Sequence, residues 1–278
     1  MVFGLVGGDC RQAELSRLLK ADGHTVYTYG LECWGAVGAG TLERTVSAET
    51  VVLPLPLCKD EGVLNCEEMR ILTMELFGKF GPEQTLLGGQ IKPAQMQEAS
   101  SCGLRLKDYF CREELTVANA AVTAEAAIQV AMERLDRTLL GMECLVLGFG
   151  RIGRLLSHRL HGMGARVTAS ARKPEDLAWI RAYGWNAIQT GRVAEVLQNS
   201  RAVFNTIPSL VLDAACLAKL PEECLCIDLA SEQGIDLTAA ERLGLQAVWA
   251  RSLPGRLAPR TAAEAIRDTI YSIISEKE

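Results

Sequence analysis

The fold is decided by residues 143–173, which read ECLVLGFGRIGRLLSHRLHGMGARVTASARK. The run 144–147 is apolar and has the length of a buried strand. Apolar residues at helical spacing follow between 152 and 160, and a second apolar run occupies 165–169. Three glycines separate the first run from the helical pattern: Gly148, Gly150 and Gly153. This order of strand, glycine turn, helix and strand predicts a βαβ unit with two parallel strands.

The three glycines match G-x-G-x-x-G, and each would meet a separate need of a dinucleotide site. Gly148 permits a tight turn, Gly150 lets the backbone approach a pyrophosphate, and Gly153 lets helix and strand pack closely. Backbone N–H groups at the helix N-terminus, around Arg151 and Ile152, would attract the phosphates. A sharp turn without a ligand is the alternative. The complete βαβ context favours a dinucleotide-binding Rossmann fold.

The end of the second strand indicates which dinucleotide would bind. Sites for NAD place an acidic side chain about 20 residues after the glycines, on the ribose 2′-hydroxyl. Here the strand ends without an acid, in Ser170, Arg172 and Lys173. A hydroxyl and two cations suit the 2′-phosphate of NADP, to which arginine donates two hydrogen bonds. We therefore predict NADP as the cofactor, the alternative being that both cations only cap a surface loop.

Around this unit the chain alternates strand and helix patterns in two series. The second series predicts six strands: 143–147, 166–170, 187–189, 202–205, 225–228 and 246–250. The first series predicts five: 2–6, 24–29, 51–55, 84–88 and 105–109. An alanine-rich helix at 114–135 would link the two series, and a last helix at 261–275 would return to the first domain. We predict an α/β protein of two doubly wound parallel-sheet domains, the second an NAD(P)-binding Rossmann fold.

The predicted domain boundaries follow from these patterns. Residues 1–118 together with 261–278 would form the N-terminal substrate and catalytic domain. Residues 119–260, including the linking helix, would form the NADP-binding domain. Within these domains the patterns also predict helices at 67–77 and 193–198 and a rigid, proline-containing turn at 251–262.

Composition argues against several classes of protein. Lys and Arg number 29 against 34 Asp and Glu, a net charge of −5, which argues against a nucleic-acid partner. No apolar run of about 18 residues and no signal peptide occur, so we predict a soluble cytoplasmic protein without a membrane partner. The ten cysteines lack C-x-x-C spacing and there are only three histidines, so we predict neither a metal site nor a disulfide framework.

Two stretches of the second domain would lie where strands end, at the edge that binds ligands in such sheets. They are FNTIPSLVL at 204–212 and CIDLAS at 226–231. We predict that their edge residues line the nicotinamide side of the cofactor: Asn205, Thr206, Ile207, Pro208, Leu229 and Ala230. The alternative is a strand that is merely ended by proline.

Two polar clusters mark the first domain. VGGDCRQ at 6–12 is another glycine turn between strand and helix, and it offers groups suited to a small carboxylate-bearing substrate: Asp9, Arg11 and Gln12. Three more polar residues lie near the start of the linking helix: Asn119, Thr123 and Glu125. Helix caps and a solvated helix face are the alternative for both clusters.

Six stretches together resemble one family, the A subunit of dipicolinate synthase. They are GGDCRQ, NAAVTAEAAI, VLGFGRIG, FNTIPSLVL, IDLAS and LPGRLAPRTA, in the family's order and spacing, and the resemblance covers essentially the whole chain. One departure stands out. Where the family has a segment like DLASxPGGTDF, this chain has DLASEQGIDL, with Gln233 in place of proline and one glycine missing. We therefore do not assign to residues 231–236 of this chain any role that the loop has in the family in closing over the substrate.

The resemblance implies a reaction. The family makes dipicolinate (pyridine-2,6-dicarboxylate) from a dihydro- or hydroxytetrahydrodipicolinate by passing a hydride to NADP. It works with a smaller, flavoprotein-like B subunit in the mother cell of sporulating bacteria, and we expect an oligomer.

A substrate with two carboxylates needs cations and N–H donors. The substrate-binding residues that we predict on this basis are Gly8, Asp9, Arg11, Gln12, Arg112, Asn119 and Thr123, with the two arginines as the cations. The candidates for the general base are Asp9 and Glu125, and the alternatives are water or the B subunit.

Two other functions stay open at this point. Another two-domain dehydrogenase, acting on shikimate-like or 2-hydroxyacid substrates, would use a Lys–Asp pair or an Arg, Glu and His set, and neither is found in register. A regulatory module would bind the nucleotide without turnover.

Overall fold

The computed structural model describes residues 1–276, which form two compact units. One comprises Met1–Asn119 and the segment that starts at Pro254, and the other is Ala120–Leu253. Each unit is built on a parallel sheet, and the last helix packs within the first unit. The predicted fold class is thereby confirmed. The chain re-enters the first unit at Pro254, whereas the sequence patterns place the return at 261.

The first unit alternates strands and helices from its first residues. Its elements are β1 (Val2–Val6), α1 (Cys10–Ala21), β2 (Thr25–Tyr29), α2 (Leu42–Val46), β3 (Thr50–Val52), β4 (Cys58–Asp60), β5 (Val63–Leu64), α3 (Thr73–Phe77), β6 (Thr85–Gly88), α4 (Pro93–Ser101) and β7 (Leu106–Asp108). Five of the strands form a parallel sheet in the order β2-β1-β3-β6-β7, and β4 pairs with β5 in a separate hairpin.

The second unit has the doubly wound order of a Rossmann fold. After α5 (Glu113–Arg134) come β8 (Glu143–Leu147), α6 (Arg151–Gly162), β9 (Arg166–Ala171), α7 (Pro174–Ala182), β10 (Asn186–Gln189), β11 (Ala202–Asn205), α8 (Ala214–Leu217), β12 (Leu225–Asp228), α9 (Leu237–Arg242) and β13 (Gln246–Trp249). Its sheet runs β10-β9-β8-β11-β12-β13, all parallel. Two helices then close the described chain: α10 (Leu253–Leu257) and α11 (Pro259–Ser275).

Strand β8 shows why the second sheet is buried on both faces. Cys144 and Val146 pack into the hydrophobic cluster on one face, and Leu145 and Leu147 pack into the cluster on the other. A parallel sheet covered by helices on both sides requires such a continuous apolar run. The carboxyl ends of β8, β9, β11, β12 and β13 consequently meet at one edge, where the loops after them carry the candidate cofactor residues.

Helix α5 is long and apolar enough to cross a membrane by length and composition alone, a property that the sequence patterns do not predict. Half of its most apolar window is buried inside the protein. Alanines on it, such as Ala124, Ala127 and Ala131, belong to the core of the second unit. A core helix of a globular protein passes the same test, so this single helix is weak evidence for a membrane span.

Three local predictions differ from the structure. The helix predicted at 67–77 is only Thr73–Phe77, because the residues just before it are extended against β5, where Leu64 N donates to Ile71 O at 2.9 Å and Val63 pairs with Leu72. The helix predicted at 193–198 is two short 3₁₀ turns within 190–199. The turn predicted at 251–262 contains α10, since its proline sits in the first helical turn, where the missing N–H costs nothing.

Candidate functional site

The glycine turn of the second unit has the geometry that its sequence predicts. Gly148 has φ +98°, and a Cβ there would lie 2.5 Å from Thr206 Oγ1. A Cβ on Gly153 would overlap the carbonyl oxygen of Gly148. A Cβ on Gly150 would meet nothing within 4 Å, so the middle glycine borders open space. The outer glycines are thus required by packing, and the middle one leaves room for a ligand against the backbone.

The start of α6 offers donors to an anion. Its cap residue is Gly150, which has no side chain to accept a hydrogen bond from the first turn. The first turn of an α-helix carries N–H groups without intrahelical partners and a partial positive charge. Arg151, Ile152 and Gly153 are the residues of this turn. A phosphate bound beside Gly150 would accept hydrogen bonds from the N–H groups of this turn.

Two side chains from neighbouring strands hold the glycine turn in place. Ser170 Oγ accepts a hydrogen bond from Gly148 N at 3.1 Å, and the serine is completely buried. Thr206 Oγ1 donates to Leu147 O at 2.8 Å, and Thr206 N donates to the same oxygen at 2.9 Å. The structure therefore brings Ser170 and Thr206 to the turn as supports, with the Ser170 hydroxyl beneath it.

The predicted phosphate cations, Arg172 and Lys173, are exposed immediately after β9. In the part of the chain that the structure describes, no carboxylate oxygen lies within 4.0 Å of either cation. Among the acids of the first turn of α7, Asp176 already pairs with Arg154 at 2.7 Å. This side of the sheet edge therefore presents two positive charges without an ion-pair partner.

A buried carboxylate organises the other side of the edge. Asp228, at the end of β12, is completely buried and accepts four hydrogen bonds. Its Oδ1 accepts from Asn205 Nδ2 at 2.8 Å and from Ala230 N at 3.1 Å. Its Oδ2 accepts from Gly234 N at 2.7 Å and from Ile235 N at 3.0 Å. We call this arrangement, Asp228 with Asn205 and the backbone of 230–235, the Asp228 clasp.

The clasp fixes most of the residues predicted to line the nicotinamide side. Asn205 Oδ1 accepts from Ile207 N at 3.0 Å, and Asn205 O accepts from Leu229 N at 2.8 Å. Ala230 is buried, and Pro208 is exposed. Gly234 fits only as glycine, since a Cβ would overlap Asn205 Nδ2 and lie 2.7 Å from Ile207 O.

In the first unit, Asp9 and Arg11 form a nearly buried ion pair after the first glycine turn. Asp9 Oδ2 lies 2.7 Å from Arg11 Nη2, and Oδ1 lies 3.0 Å from Arg11 Nε. Asp9 also caps α1, because its Oδ1 accepts from the backbone N of Arg11 at 2.9 Å. The exposed fraction of the Arg11 side chain is 8%. Burial lowers the pKa of Arg11, but the hydrogen bonds and charge of Asp9 outweigh this, so its pKa is raised and it stays charged.

The neighbours of this pair include residues that the sequence patterns do not single out. Gly255 of α10 lies against it, so that a Cβ would be 3.2 Å from Arg11 Nε, and Cys10 Sγ donates to Gly255 O at 2.7 Å. The signal in the sequence is the stretch LPGRLAPRTA, which predicts a rigid turn and is one of the family motifs but does not predict a contact with Arg11. Gln12 is also buried, and its Oε1 has no partner among the described residues.

The other residues predicted for substrate binding and catalysis are Arg112, Asn119, Thr123 and Glu125. Arg112 is paired with Glu276 at 2.6 Å and with Glu114 at 2.8 Å, and these hydrogen bonds raise the pKa of the guanidinium. On α5, Asn119 is half-buried and Thr123 is buried. Glu125 is exposed, and its Oε1 lies 2.9 Å from Arg159 Nη2. Within the described residues, no group of three His, Cys, Asp or Glu side chains is arranged to hold a metal ion.

Two family models match the chain and divide it near the start of α5. Residues 2–110 match the N-terminal domain of the A subunit of dipicolinate synthase. Residues 112–239 match the NAD binding domain of D-isomer specific 2-hydroxyacid dehydrogenases. The second match covers the glycine turn and the Asp228 clasp, and it indicates a nicotinamide dinucleotide cofactor and a dehydrogenase-like role.

Relatives with both parts extend over nearly the whole chain. The dipicolinate synthase A subunit of Bacillus subtilis (strain 168) is 27% identical, with 99% of this chain and 96% of that protein aligned. The crystal structure of the dipicolinate synthase A subunit from Bacillus halodurans is 28% identical, with a TM-score of 0.86 over 98% of this chain and 97% of that one. A transhydrogenase from Sinorhizobium meliloti shares the fold, with a TM-score of 0.71 over 100% of this chain and 94% of that one at 15% identity. The family resemblance found in the motifs is confirmed.

Proposed function

We propose that this chain, which is similar to dipicolinate synthase A subunits over nearly its whole length, is the NADP-dependent subunit that forms dipicolinate from a dihydro- or hydroxytetrahydrodipicolinate. One observation carries the proposal: a single chain joins the N-terminal domain of that family to a dinucleotide-binding glycine turn bordered by open space. The proposed setting is the cytoplasm of the mother cell of a sporulating bacterium, where the partner would be a flavoprotein-like B subunit. We also propose that the chain works as an oligomer.

The cofactor would be held along the carboxyl edge of the second sheet. The helix N-terminus after Gly150 and its backbone donors suit the pyrophosphate. The Asp228 clasp holds the backbone of Ile207, Leu229 and Ala230 rigid, which suits the nicotinamide side. When bound, the dinucleotide accepts the hydride that the substrate loses.

NADP is favoured over NAD by the residues at the end of β9. Arg172 and Lys173 have no acidic partner among the described residues, so both charges remain for a 2′-phosphate. Ser170 contributes by supporting the turn, since its hydroxyl is already bonded to Gly148 N. An Arg172→Glu chain is expected to bind NADP about 100-fold more weakly while its affinity for NAD changes less than about threefold, because bidentate pairs are strong and specific. Arg181→Glu, on the exposed surface of α7, is the matched control.

Calorimetric titration of both dinucleotides into each variant measures this difference. Equal weakening of NADP and NAD by Arg172→Glu would contradict the phosphate role, because a general loss of structure lowers both affinities. Arg181→Glu makes the same change of charge a few residues further along the chain, and it is expected to leave both affinities unchanged.

The substrate groups that we propose in the first unit centre on Arg11. Asp9 fixes its guanidinium by three hydrogen bonds, and Leu55 O accepts a further one from Nη2. A preorganised, desolvated guanidinium binds a carboxylate better than a mobile one does. Gly8 and Gln12 are proposed as further contacts beside it. The N–H of Gly8 already donates to Asn65 O and Gln12 Nε2 to Val52 O, so the group of Gln12 without a partner among the described residues is the acceptor Oε1. Three further residues are proposed as substrate contacts: Arg112, Asn119 and Thr123.

Loss of a hydride also requires that a proton leave the substrate. Asp9 and Glu125 are the proposed bases. Each carboxylate is ion-paired here, with Arg11 and with Arg159. Taking up a proton therefore requires that one of these pairs open, and water or the B subunit would act in their place if neither does.

One assay tests the function as a whole. The purified chain, with and without its B partner, is mixed with enzymatically made precursor and NADP or NAD, and the absorbance of pyridine-2,6-dicarboxylate is followed. We expect formation faster than the spontaneous rate, and faster with NADP. If no preparation exceeds the spontaneous rate while NADP still binds, the proposal is wrong and a regulatory nucleotide-binding role is favoured.

A further inference from the structure

An arginine that neither the motifs nor the comparisons single out stands at the carboxyl edge of the second sheet. Arg251 follows β13, whose last residue, Trp249, is in register with Asp228 of β12. In the sheet order, β11, β12 and β13 lie on the opposite side of β8 from β9. In doubly wound sheets the two halves of a dinucleotide lie on the two sides of this switch point. With the 2′-phosphate proposed after β9, Arg251 falls on the nicotinamide side.

The side chain of Arg251 is held by an aromatic ring and not by an acid. Its Cζ lies 4.6 Å from the centroid of Trp249, over the ring face. Trp249 in turn donates its indole N–H to Ala230 O at 2.9 Å, which links the ring to the backbone of the Asp228 clasp. In the described chain no carboxylate lies within 4.0 Å of the guanidinium. A guanidinium that lies over an aromatic ring still has N–H donors available for an anion, because these N–H groups point outward in the plane of the guanidinium.

About half of the other arginines of the second unit are held by acids instead. Six are paired with acidic side chains: Arg137, Arg154, Arg159, Arg166, Arg192 and Arg201. The backbone beside Arg251 is also unusual, because Ser252 has φ +54°. A left-handed conformation in a residue other than glycine costs about 1 kcal/mol or more and is found preferentially at ligand sites. Charge, stacking and strain therefore coincide at one point of the ligand-binding edge.

We propose that Arg251 binds a carboxylate of the substrate beside the nicotinamide, with Trp249 as the positioning residue. The proposal rests on the proposed function, because that function supplies a ring that carries two carboxylates and is oxidised to a pyridine. A guanidinium can donate two parallel hydrogen bonds to such a carboxylate. The site would thereby select substrates that carry this group.

Binding of the product tests the role of Arg251 without turnover. Pyridine-2,6-dicarboxylate and pyridine-2-carboxylate are titrated calorimetrically into the full chain at saturating NADP. For the wild type we expect the dicarboxylate to bind more tightly. Arg251→Gln is expected to weaken dicarboxylate binding about 10- to 100-fold, the range for a charge-assisted pair, and to reduce the preference for the dicarboxylate. Arg251→Lys should fall between the two, since an ammonium keeps the charge and loses the fork geometry.

The controls separate this site from a loss of structure and from the reaction itself. Arg242→Gln removes an exposed arginine before β13, at the opposite edge of the sheet, and should change neither ligand affinity. The affinity for NADP should stay within about twofold in every variant. The proposal is overturned if the wild type does not bind the dicarboxylate, or if Arg251→Gln binds it as tightly as the wild type. Failure of the wild type to form dipicolinate with its B partner contradicts the proposed function instead. The titrations then still decide whether Arg251 binds the dicarboxylate.

Discussion

Replacing Asp228 by asparagine tests whether the Asp228 clasp determines the shape of the cofactor edge. Both carboxylate oxygens act as acceptors, each for two N–H donors. Asparagine has nearly the same shape but exchanges one acceptor oxygen for an NH₂ donor. Whichever way the amide turns, two buried donors face another donor: either Asn205 Nδ2 with Ala230 N, or Gly234 N with Ile235 N.

The size of the effect follows from the cost of buried donors without acceptors. Each such group destabilises a protein by about 1–3 kcal/mol. Two of them predict a loss of about 2–6 kcal/mol in the free energy of unfolding, against a total of about 5–15 kcal/mol for a domain. At about 4 °C per kcal/mol for a domain of this size, the melting temperature should fall by about 8 °C or more. Binding of the dinucleotide should weaken as well, because the freed loop includes Leu229 and Ala230.

Urea unfolding followed by tryptophan fluorescence, together with a thermal melt, measures the change. Asp236→Asn is the matched control, since Asp236 caps α9 by accepting from Ala239 N, and asparagine caps a helix equally well. We expect Asp236→Asn to stay within about 0.5 kcal/mol of the wild type. An Asp228→Asn chain that melts within about 2 °C of the wild type, well below the smallest loss estimated above, would refute the reasoning.

Two further perturbations probe the glycines and one the thiols. Gly153→Ala should abolish dinucleotide binding in a fluorescence titration, because its Cβ would overlap a backbone carbonyl, whereas Gly162→Ala meets nothing within 4 Å and should bind normally. Gly234→Ala should lower the melting temperature as Asp228→Asn does, since its Cβ would overlap the clasp. Burial, and then the charge of Glu98, raise the pKa of Cys58 to about 11. Its thiolate fraction at pH 8 is then about 0.1%, against about a quarter for a free cysteine, so iodoacetamide should label it about 250-fold more slowly, with a rate that rises toward pH 11.

The parts that the sequence predicts well are those in which the signal is local. The six strands of the second sheet begin and end within one residue of their predicted bounds, because each is a short apolar run set off from the neighbouring helix pattern by polar or turn residues. The spacing of the glycines predicts their roles for the same reason, as each role depends on the residue's own missing side chain. In the first unit, the strand predicted at 51–55 stops at Val52, since prolines at 54 and 56 cannot donate to a ladder.

Long-range contacts explain what the sequence did not reveal. Gly255 lies beside Arg11 although 244 positions separate them, and Arg112 pairs with Glu276 from the far end of the chain. No periodicity or spacing signals such contacts. Asp228 illustrates a second limit, because an acid at the end of a strand ordinarily reaches solvent, and only the three-dimensional structure shows that it is buried and fully bonded.

The Asp228 clasp holds residues 231–236, the loop that departs from the family pattern. The loop is held by two backbone donors, Gly234 N and Ile235 N, and by the absence of a side chain at Gly234. None of these depends on the side chain at 233, where the family has proline. Gln233 instead adds a hydrogen bond from Nε2 to Ile235 O at 2.7 Å, which ties the loop to itself. Because the contacts that fix the loop are made by backbone and by Asp228, the exchange of proline for glutamine preserves the shape of the edge at which we propose the cofactor binds.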